Sequence, residues 1–543
     1  MLQLPDEGAL GFSGAEARLS ARMNATLPSR ATKLARVLSK RLVDAAPGRK
    51  THAVEAPFTG KPIGEIPLAT REDVFAAVER ARDAQKQWAA LAVAERSKVL
   101  LRFHDLVLDR RDEILDLMQL EAGKARRHAF EEIVDVAVTA RYYARRGPRF
   151  LHSRRRRGLI PFLTRVTEHR HPIGVVGIIS PWNYPLTLAV TDALPALLAG
   201  NAIVLKPAEK TSLLARYAVD LLVEAGLAGD LFHVVTGSGE VAGAALVDAA
   251  DAMAFTGSTE VGRRIAARAG ERLIHVSLEL GGKNPLIVLA DADLDRAAEG
   301  AVRACFTNAG QLCISAERLY VQSALYDRFV DAFVARTRAM RVAADFSFDT
   351  DMGSLIGREQ LEKVTAHVAD AVAKGAQVLA GGRARPDIGP YFFEPTILTK
   401  VTPAMLVARE ETFGPVVAVN RFDDVEEAIR LANASDYGLS ASIWSRDTGR
   451  AGEIGARIET GAVNINEAYG AAWSAIDSPL GGYKASGLGR RHGREGIFRF
   501  TQSQTVATQH LIPLAPRRGQ SPKAFANMMT TVLRWIRRIP GAP

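Results

Sequence analysis

Hydrophobic positions follow a helical period through the first part of the chain. Within residues 31–46 the apolar residues recur at the spacing of one helix face: Leu34, Val37, Leu38 and Leu42. The segment 71–91 opens with acidic residues, which favours a helix because the positive end of the helix dipole attracts them. The same pattern continues through residues 96–146. The sequence therefore predicts a helical extension over 1–50, followed by several further helices.

After about residue 172 the pattern changes to short apolar runs that alternate with helical segments. Strands are predicted over 172–180, 201–207, 231–237 and 251–257, and helices over 186–200, 211–226 and 239–247. Strands and helices that alternate at this spacing are typical of βαβ units and of a doubly wound parallel sheet. A second alternating region, residues 284–476, predicts another α/β domain.

Composition is that of a globular protein with more than one domain. The 543 residues exceed what one hydrophobic core usually organises, and the hydrophobic fraction of 47% is ordinary. Two cysteines, Cys305 and Cys313, provide neither a disulfide framework nor a zinc-binding pattern, so we expect no metal and a reducing, cytoplasmic setting.

The net charge of +10 is modest for this length, but seven arginines lie between Arg145 and Arg157. No aromatic platform or DNA-binding motif accompanies them, so a solvated face or an intersubunit strip is favoured over nucleic-acid binding.

No apolar run is long enough to span a membrane, and the N-terminus lacks the pattern of a signal peptide. The tail beyond about residue 507 has apolar residues at helical spacing, namely Phe525, Met528, Met529, Val532 and Ile536. With its basic residues, this tail fits either docking on the body of the protein or peripheral contact with a membrane surface.

Several segments carry weak signals for phosphate or ribose binding. Gly257 and Ser258 stand between a predicted strand and a predicted helix, where a helix N-terminus attracts anions. Lys206 and Glu209 follow another predicted strand and reach the edge of a sheet where cofactors bind. Each of these is equally consistent with an ordinary solvated turn.

Three other residues point to covalent catalysis. Asn183, in a rigid turn between two prolines, either satisfies backbone groups or stabilises an oxyanion. Glu279, between apolar neighbours, is either an ion-paired residue or a general base whose pKa burial raises. Cys313 is either a buried structural residue or a nucleophile. By contrast, Cys305 lies in an apolar helical run and is expected in the core.

Taken together, these segments resemble the aldehyde dehydrogenase superfamily over roughly residues 50–508. The resemblance rests on the sequence motifs PWNYP, KPAEKT, FTGSTEVG, LELGGKNP, GQLCIS, EETFGPV and GGYKASGLGR. It implies an α/β fold with a Rossmann-type dinucleotide-binding domain, an α/β catalytic domain and a small β oligomerisation element, assembled as a homodimer or homotetramer.

The resemblance also implies roles for individual residues. Cys313 is the expected nucleophile, Asn183 the oxyanion-binding residue and Glu279 the base that activates water. The expected cofactor-binding residues are Trp182, Asn183, Lys206, Glu209, Gly257, Ser258, Leu280, Glu411 and Phe413.

The same resemblance divides the chain into parts. The expected division is a helical extension over 1–50, a dinucleotide-binding domain over 51–150 and 173–281, a catalytic domain over 282–478, an oligomerisation element over 151–172 and 479–508, and a basic amphipathic tail over 509–543.

Within the superfamily the chain resembles a bacterial succinate-semialdehyde dehydrogenase branch, which shares words such as EAGKAR, CFTNAGQLCIS, DFSFDTDMGSLI and GRRHGREG. Other succinate-semialdehyde dehydrogenases bind the substrate carboxylate with two arginines, whose positions hold Thr191 and Thr307 here. A guanidinium provides a bidentate contact that a hydroxyl lacks. Arg303 is one candidate replacement, and Ser474 aligns with a third carboxylate contact. A medium- or long-chain aliphatic or aromatic aldehyde is therefore the alternative substrate, in an enzyme peripheral to a membrane.

The cofactor is NAD or NADP. Relatives in the branch use NADP and have a small hydroxyl residue at the position of Glu209, whereas a carboxylate there favours NAD because it accepts a hydrogen bond from the ribose 2′-OH. Lys210, beside it, offsets this preference in part. A relative without catalysis, acting as a membrane or nucleic-acid binding protein, would lack Cys313, Glu279 or Asn183, and all three are present.

Overall fold

The structure is a computed structural model that describes residues 27–158, 164–509 and 514–538. Most of the predicted N-terminal extension, residues 1–26, and short parts of the predicted tail therefore lie outside the described residues.

The described residues form nineteen α-helices. In chain order they are α1 (Ser29–Asp44), α2 (Arg71–Ala90), α3 (Val93–Asp109), α4 (Arg111–Ala122), α5 (Arg126–Leu151), α6 (Thr187–Val190), α7 (Ala193–Ala199), α8 (Ser212–Glu224), α9 (Ala244–Ala249), α10 (Thr259–Glu271), α11 (Leu294–Phe306), α12 (Tyr326–Ala339), α13 (Arg358–Ala373), α14 (Leu406–Arg409), α15 (Val425–Asn433), α16 (Thr448–Gly455), α17 (Gly470–Ser474), α18 (Gly493–Phe498) and α19 (Pro522–Ile536).

The same ranges form twenty β-strands. These are β1 (Thr51–Ala56), β2 (Lys61–Pro67), β3 (Arg154–Arg157), β4 (Thr164–Pro172), β5 (Val175–Ser180), β6 (Ala202–Pro207), β7 (Phe232–Val234), β8 (Ala252–Thr256), β9 (His275–Glu279), β10 (Asn284–Val288), β11 (Ala316–Gln322), β12 (Gln377–Ala380), β13 (Thr396–Thr399), β14 (Val416–Phe422), β15 (Tyr437–Gly438), β16 (Ser440–Trp444), β17 (Ala462–Ile465), β18 (Tyr483–Lys484), β19 (Gly487–Leu488) and β20 (Thr501–Gln509).

The first large sheet has the strand order β19-β9-β8-β5-β6-β7 and is parallel except for β19. Every residue of β6 is buried, and five of the six residues of β5 are buried. Helices cover both faces of a parallel sheet, which explains why these strands are apolar throughout. The predicted parallel α/β sheet is confirmed, and the carboxyl ends of its strands form one edge.

The second large sheet has the order β12-β13-β14-β11-β10-β16-β17 and is parallel except for β12. Two hydrophobic clusters cover its faces. The mixed α/β class predicted from the alternating pattern is therefore correct for both halves of the chain.

A third, three-stranded antiparallel sheet joins distant parts of the sequence in the order β20-β4-β3. The whole of β20 pairs with β4, and all of β20 after Thr501 is exposed. Its strands come from the segments predicted to form the oligomerisation element. Part of the arginine cluster forms β3, where Arg156 pairs with Glu168 at 2.5 Å.

Helix α1 is docked on the body of the protein. The Ser39 hydroxyl donates to the Glu65 carbonyl oxygen at 2.8 Å and accepts from the Glu65 N–H at 2.7 Å. Leu38 and Leu42 are buried as predicted, whereas Val37 is 41% exposed. The described part of the extension is therefore integral to the first core, and the predicted domain boundaries stay a prediction.

The prediction of a single helix over 186–200 is wrong in one respect. The segment forms two helices, α6 and α7, separated by Thr191 and Asp192. Pro195 has no N–H to donate to the Thr191 carbonyl, so the helical hydrogen-bond ladder is interrupted at that turn. The break turns both residues toward the strand end that carries Glu279, as described below.

Helix α19 forms within the predicted tail. Phe525, Met529 and Val532 are partly covered and Ile536 is buried, whereas Leu533 and Trp535 are exposed. None of the described helices is both long and apolar enough to cross a membrane.

Candidate active site

The three predicted catalytic side chains lie where secondary-structure elements end. Glu279 is the last residue of β9, and Asn183 follows β5 in the same sheet. Cys313 follows a tight turn after α11. Asn308, Ala309 and Gly310 in that turn have φ between 53° and 69°, a left-handed conformation that non-glycine residues adopt only at a cost.

Hydrogen bonds fix this turn against both sheets. The Asn284 side-chain amide donates to the Cys313 carbonyl oxygen at 2.8 Å and to the Ser315 carbonyl oxygen at 2.8 Å. The Asn183 side-chain amide donates to the Gln311 carbonyl oxygen at 3.1 Å. An amide NH2 has two hydrogens, so one hydrogen of Asn183 remains for a substrate oxygen.

The Cys313 thiol is protonated at neutral pH in this structure. Burial, together with the neighbouring carboxylates Glu411 and Glu279, raises its pKa to about 12, opposed by Arg491. Because the thiolate is the nucleophilic form, this cysteine needs a base to accept its proton. Cys305 is 2% exposed, in the core as predicted.

Glu279 has the ionisation that a base requires. Burial raises the pKa of its carboxyl group to about 7, opposed by the guanidinium groups of Arg491 and Arg499. Its Oε1 atom is buried and has no hydrogen-bond partner among the described residues. The carboxylate is therefore free to accept a proton from the thiol or from water.

Most of the predicted site residues line one cavity of about 200 Å³. They are Trp182, Asn183, Gly257, Ser258, Glu279, Leu280, Cys313, Glu411 and Phe413. Gln360 and Lys363 also line it, and the sequence offered no signal for either.

Lys206 and Glu209 lie outside this cavity, beside the end of β6. The Lys206 ammonium is 3.4 Å from the Glu209 carboxylate, and Lys206 is 5% exposed. Burial lowers the pKa of Lys206.

A larger cavity of about 800 Å³ lies alongside α10 and the segment 238–248. Its apolar lining includes Ile179, Phe255, Val261 and Ile265. The segment GSGEVAG contributes to this cavity, although its glycine spacing fails the strict dinucleotide pattern.

Glu411 and Phe413 are held by backbone contacts. The Gly282 N–H donates to the Glu411 carboxylate at 2.8 Å, and the Phe413 N–H donates to Glu317 at 2.9 Å. The Phe413 ring packs edge-on against Trp182, with centroids 5.5 Å apart.

These residues fit a dinucleotide. Helix α10 lines the larger cavity, and its capping residue Ser258 lines the smaller one, so an extended ligand could reach from one cavity to the other with its anionic centre at that N-terminus. A Cβ atom at Gly262 would lie 2.5 Å from a Leu280 methyl group, so glycine is required for this close packing.

The comparison with known families decides the identity. The family described as "Aldehyde dehydrogenase family" matches residues 43–506. The chain belongs to this family.

Among its aldehyde dehydrogenase relatives, a protein of Mycolicibacterium smegmatis is 49% identical over 94% of this chain and 99% of the relative, and its provisional name is succinate-semialdehyde dehydrogenase [NADP(+)]. A Mycobacterium ulcerans protein of similar provisional name is 47% identical over 93% of this chain and 98% of the relative.

Solved structures agree with the fold. An Escherichia coli NADP-dependent enzyme superposes with a TM-score of 0.81 at 37% identity, covering 85% of this chain and 95% of that one. A betaine aldehyde dehydrogenase from Staphylococcus aureus in complex with NAD+ gives a TM-score of 0.81 at 32% identity, covering 85% and 92%.

Sequence reasoning on this aldehyde dehydrogenase missed a buried charge cluster beside Glu279. Asp192 pairs with Arg491 at 2.9 Å and with Arg499 at 2.5 Å. Arg499 also donates to the Ser277 hydroxyl at 2.6 Å, two residues before Glu279 on β9. Because about 300 residues separate the partners, no local pattern could have indicated the pairing.

Among residues 27–158, 164–509 and 514–538, no group of three or more His, Cys, Asp or Glu side chains is placed to hold a metal ion.

Proposed function

We propose that this protein oxidises an aldehyde to a carboxylate through a covalent intermediate on Cys313, with NAD or NADP, and that its aldehyde is succinate semialdehyde. The observation that carries the proposal is the shared cavity of Cys313, Asn183 and Glu279 with the cofactor-binding residues.

In the first step the Cys313 thiol gives its proton to Glu279, and the sulfur attacks the aldehyde carbon. The carbonyl π electrons move to oxygen, forming a thiohemiacetal whose oxyanion accepts hydrogen bonds from the free Asn183 amide hydrogen and the Cys313 N–H. Nicotinamide, when bound, supplies the acceptor for the hydride that leaves this carbon, so a thioester remains on Cys313.

In the second step water attacks the thioester. Glu279 first releases the thiol proton to solvent and then, as a carboxylate, accepts a proton from the attacking water, and the sulfur leaves with its electron pair as the acid forms. A carboxylate with a pKa near 7 is suited to this task because half of it is ionised at neutral pH.

The substrate proposal is supported by the provisional names of the relatives. Its weakness is the presence of Thr191 and Thr307 where arginines were expected. A medium- or long-chain aliphatic or aromatic aldehyde is the rival, and the exposed Leu533 and Trp535 of α19 favour membrane contact by such an enzyme.

We propose that the cofactor is NAD or NADP. The Glu209 carboxylate beside Lys206 is suited to a ribose 2′-OH, which favours NAD, whereas the relatives are named for NADP.

We further propose a cytoplasmic homo-oligomer. The exposed edge of β20 offers backbone groups for pairing with a second chain. The thiols of Cys305 and Cys313 are both free, which suits a reducing compartment.

The test is the rate of reduced nicotinamide formation with succinate semialdehyde and with decanal, each with NAD and with NADP. We expect turnover, and a higher kcat/KM for succinate semialdehyde than for decanal. Absence of turnover with every pairing would contradict the activity, and a higher kcat/KM for decanal would contradict the substrate.

A further inference from the structure

The proposed substrate has a carboxylate at its far end, and the two positions where arginines were expected hold threonines. We propose that Arg491 binds this distal carboxylate and thereby sets the preference of the enzyme for an aldehyde that bears an acid. This inference rests on the proposed function, and it names the residue that makes that function work.

Arg491 is brought to the active site by the backbone. Strand β19 pairs antiparallel with β9, so that Gly487 lies opposite Glu279. Arg491 follows four residues later and is fixed by two backbone hydrogen bonds with Leu480, of 2.6 and 2.9 Å. The next residue, His492, has a φ of 61°, which is a strained conformation for a non-glycine residue.

The guanidinium of Arg491 stands against the residue that replaces one of the expected arginines. Its Nη2 donates to the Thr191 hydroxyl at 2.6 Å, and the Thr191 hydroxyl donates to the Thr187 carbonyl oxygen at 2.7 Å. Thr191 lies at the carboxyl end of α6 and is buried. Arg491 comes from a distant part of the chain, and its guanidinium thus contacts the residue that occupies the position of an expected arginine.

The guanidinium also has hydrogens to spare. Its Nε is paired with Asp192 and its Nη2 with Thr191, but its Nη1 has no hydrogen-bond partner within the described parts of the chain. The Arg491 side chain retains 11% of its solvent-accessible surface, so it is not completely buried. A guanidinium has five N–H donors, and a carboxylate can accept two of them side by side.

The local charge favours an anion. The Asp192 carboxylate is shared between Arg491 and Arg499, so one carboxylate faces two guanidinium groups. The other nearby acids, Asp135 and Glu279, each have a pKa that burial raises to about 7, so neither is fully charged at neutral pH. The pocket therefore keeps an excess of positive charge for a substrate carboxylate to neutralise.

Arg491 lies on the side of the site that carries Glu279, because Gly487, four residues before it, pairs with Glu279 at the end of β9. It is the foremost cation acting on both Cys313 and Glu279, and it lowers the pKa of each. In succinate semialdehyde two methylene groups separate the carbonyl carbon from the carboxylate, a span of roughly 4 Å with carbon–carbon bonds near 1.5 Å. A short acid bound to Cys313 would thus place its carboxylate in the neighbourhood of Arg491.

The rival candidates are already engaged elsewhere. Arg303 pairs with Glu467 at 2.9 Å, and its guanidinium lies over the Tyr469 ring. The Tyr469 hydroxyl contacts Glu131 at 2.8 Å and Thr307 at 3.1 Å. An acid beside Thr307 would repel a substrate carboxylate.

Ser474 is equally unsuited. It is exposed at the end of α17, and its hydroxyl donates to the Ala471 carbonyl oxygen at 3.3 Å.

The test compares succinate semialdehyde with butanal, which has the same chain length and no carboxylate. The variants are Arg491→Met, Arg491→Lys and Thr191→Val, with Arg303→Met as the matched control. We expect Arg491→Met to lower the ratio of kcat/KM for succinate semialdehyde to kcat/KM for butanal by about 10- to 100-fold, the loss expected for a charge-assisted contact. The raised pKa of Glu279 and Cys313 in this variant slows both substrates equally and does not change the ratio. Arg491→Lys should restore part of the loss, and Thr191→Val should cause a smaller loss of the same selectivity.

Turnover of butanal serves as the folding control for each variant. Equal losses on both substrates in Arg491→Met, or a selective loss in Arg303→Met, would overturn the assignment of Arg491. If the wild-type enzyme shows no preference for succinate semialdehyde over butanal, the proposed substrate itself is wrong.

Discussion

At the scale of single residues, the active site separates two roles by ionisation. The Cys313 thiol has a pKa raised by burial and by two carboxylates, so it is a poor nucleophile until its proton is removed. Glu279, also buried, has a pKa near 7 and an unpartnered oxygen. At neutral pH the thiol is therefore the proton donor of the two and the carboxylate is the proton acceptor.

The first prediction distinguishes the two cysteines. Replacing Cys313 with alanine should abolish turnover because no covalent intermediate can form, whereas Cys305→Ala should keep activity within a few-fold. The loss of one buried sulfur from the core costs stability instead. Steady-state kinetics and thermal unfolding of both variants check this. An inactive but folded Cys305→Ala variant would contradict the assignment.

The second prediction concerns pH. Because the basic form of Glu279 is needed, kcat/KM should rise as pH increases through about 7. The groups that act on this carboxyl are Arg491, Arg499 and Arg490, which lower its pKa, and Asp192, which raises it. The rise is measured by a profile of kcat/KM from pH 5 to 9. A profile that is flat across neutral pH would count against Glu279 as the base.

The third prediction concerns the cofactor. Removing the Glu209 carboxylate, in Glu209→Ser, should lift repulsion of a 2′-phosphate and shift the ratio of kcat/KM for NADP over NAD upward by about tenfold. Asp83→Ser, which removes an exposed acid paired with Lys86, is the matched control. An unchanged ratio in Glu209→Ser would show that this carboxylate does not contact the ribose.

At the scale of elements, the hydrophobic periodicity of the sequence was sufficient to predict the regular helices and strands. The buried strands β5, β6 and β8 and the long helices α2 to α5 were predicted from local sequence because burial imposes a strict period on them. The cavity residues were predicted in a different way, from the resemblance of the sequence motifs to those of the aldehyde dehydrogenase family. The break at Thr191 was missed, because a proline after two helical turns of apolar residues is a weak local signal.

The charge cluster beside that break could not be predicted at all. Asp192 is paired with Arg491 and Arg499 across about 300 residues, so only the fold brings them together. Propensity and periodicity describe neighbours along the chain, and they contain no information about such a pairing.

The fourth prediction tests this cluster. Asp192→Ala leaves two buried guanidinium groups unpaired, so the free energy of unfolding should fall by about 3 kcal/mol. Asp83→Ala removes one partner of the exposed pair with Lys86 and should change stability by less than about 1 kcal/mol. Urea unfolding measures both, and equal small effects would show that the cluster contributes little.

At the scale of the whole molecule, the sequence predicted two α/β halves and one β element. The described residues form two large, mainly parallel sheets, one three-stranded antiparallel sheet and two two-stranded antiparallel sheets. The structure adds that α1 belongs to the first core, because its Ser39 bonds to Glu65 of β2. An amphipathic helix shows that it has a partner, but the pattern does not say which one.

The fifth prediction concerns α19. From residue 514 to 538 the chain has six arginines and lysines and no acid, and Leu533 and Trp535 are exposed. If this tail contacts anionic membranes, truncation after Gln509 should abolish co-sedimentation with phosphatidylserine vesicles while keeping activity. Equal sedimentation of both proteins would instead favour docking of the tail on the enzyme.

The most direct test of the whole account is to trap the acyl-enzyme. In the Glu279→Gln variant at pH 9, hydroxide from solvent slowly takes the Cys313 proton in place of Glu279, whereas no side chain activates the hydrolytic water. The thioester on Cys313 should therefore accumulate when succinate semialdehyde and the oxidised cofactor are both supplied. Intact-protein mass spectrometry should then show one succinyl adduct, mapped by peptide analysis to Cys313 and absent without cofactor. A mass that stays unchanged in a folded protein that still binds cofactor, or an adduct on Cys305, would contradict the proposed chemistry.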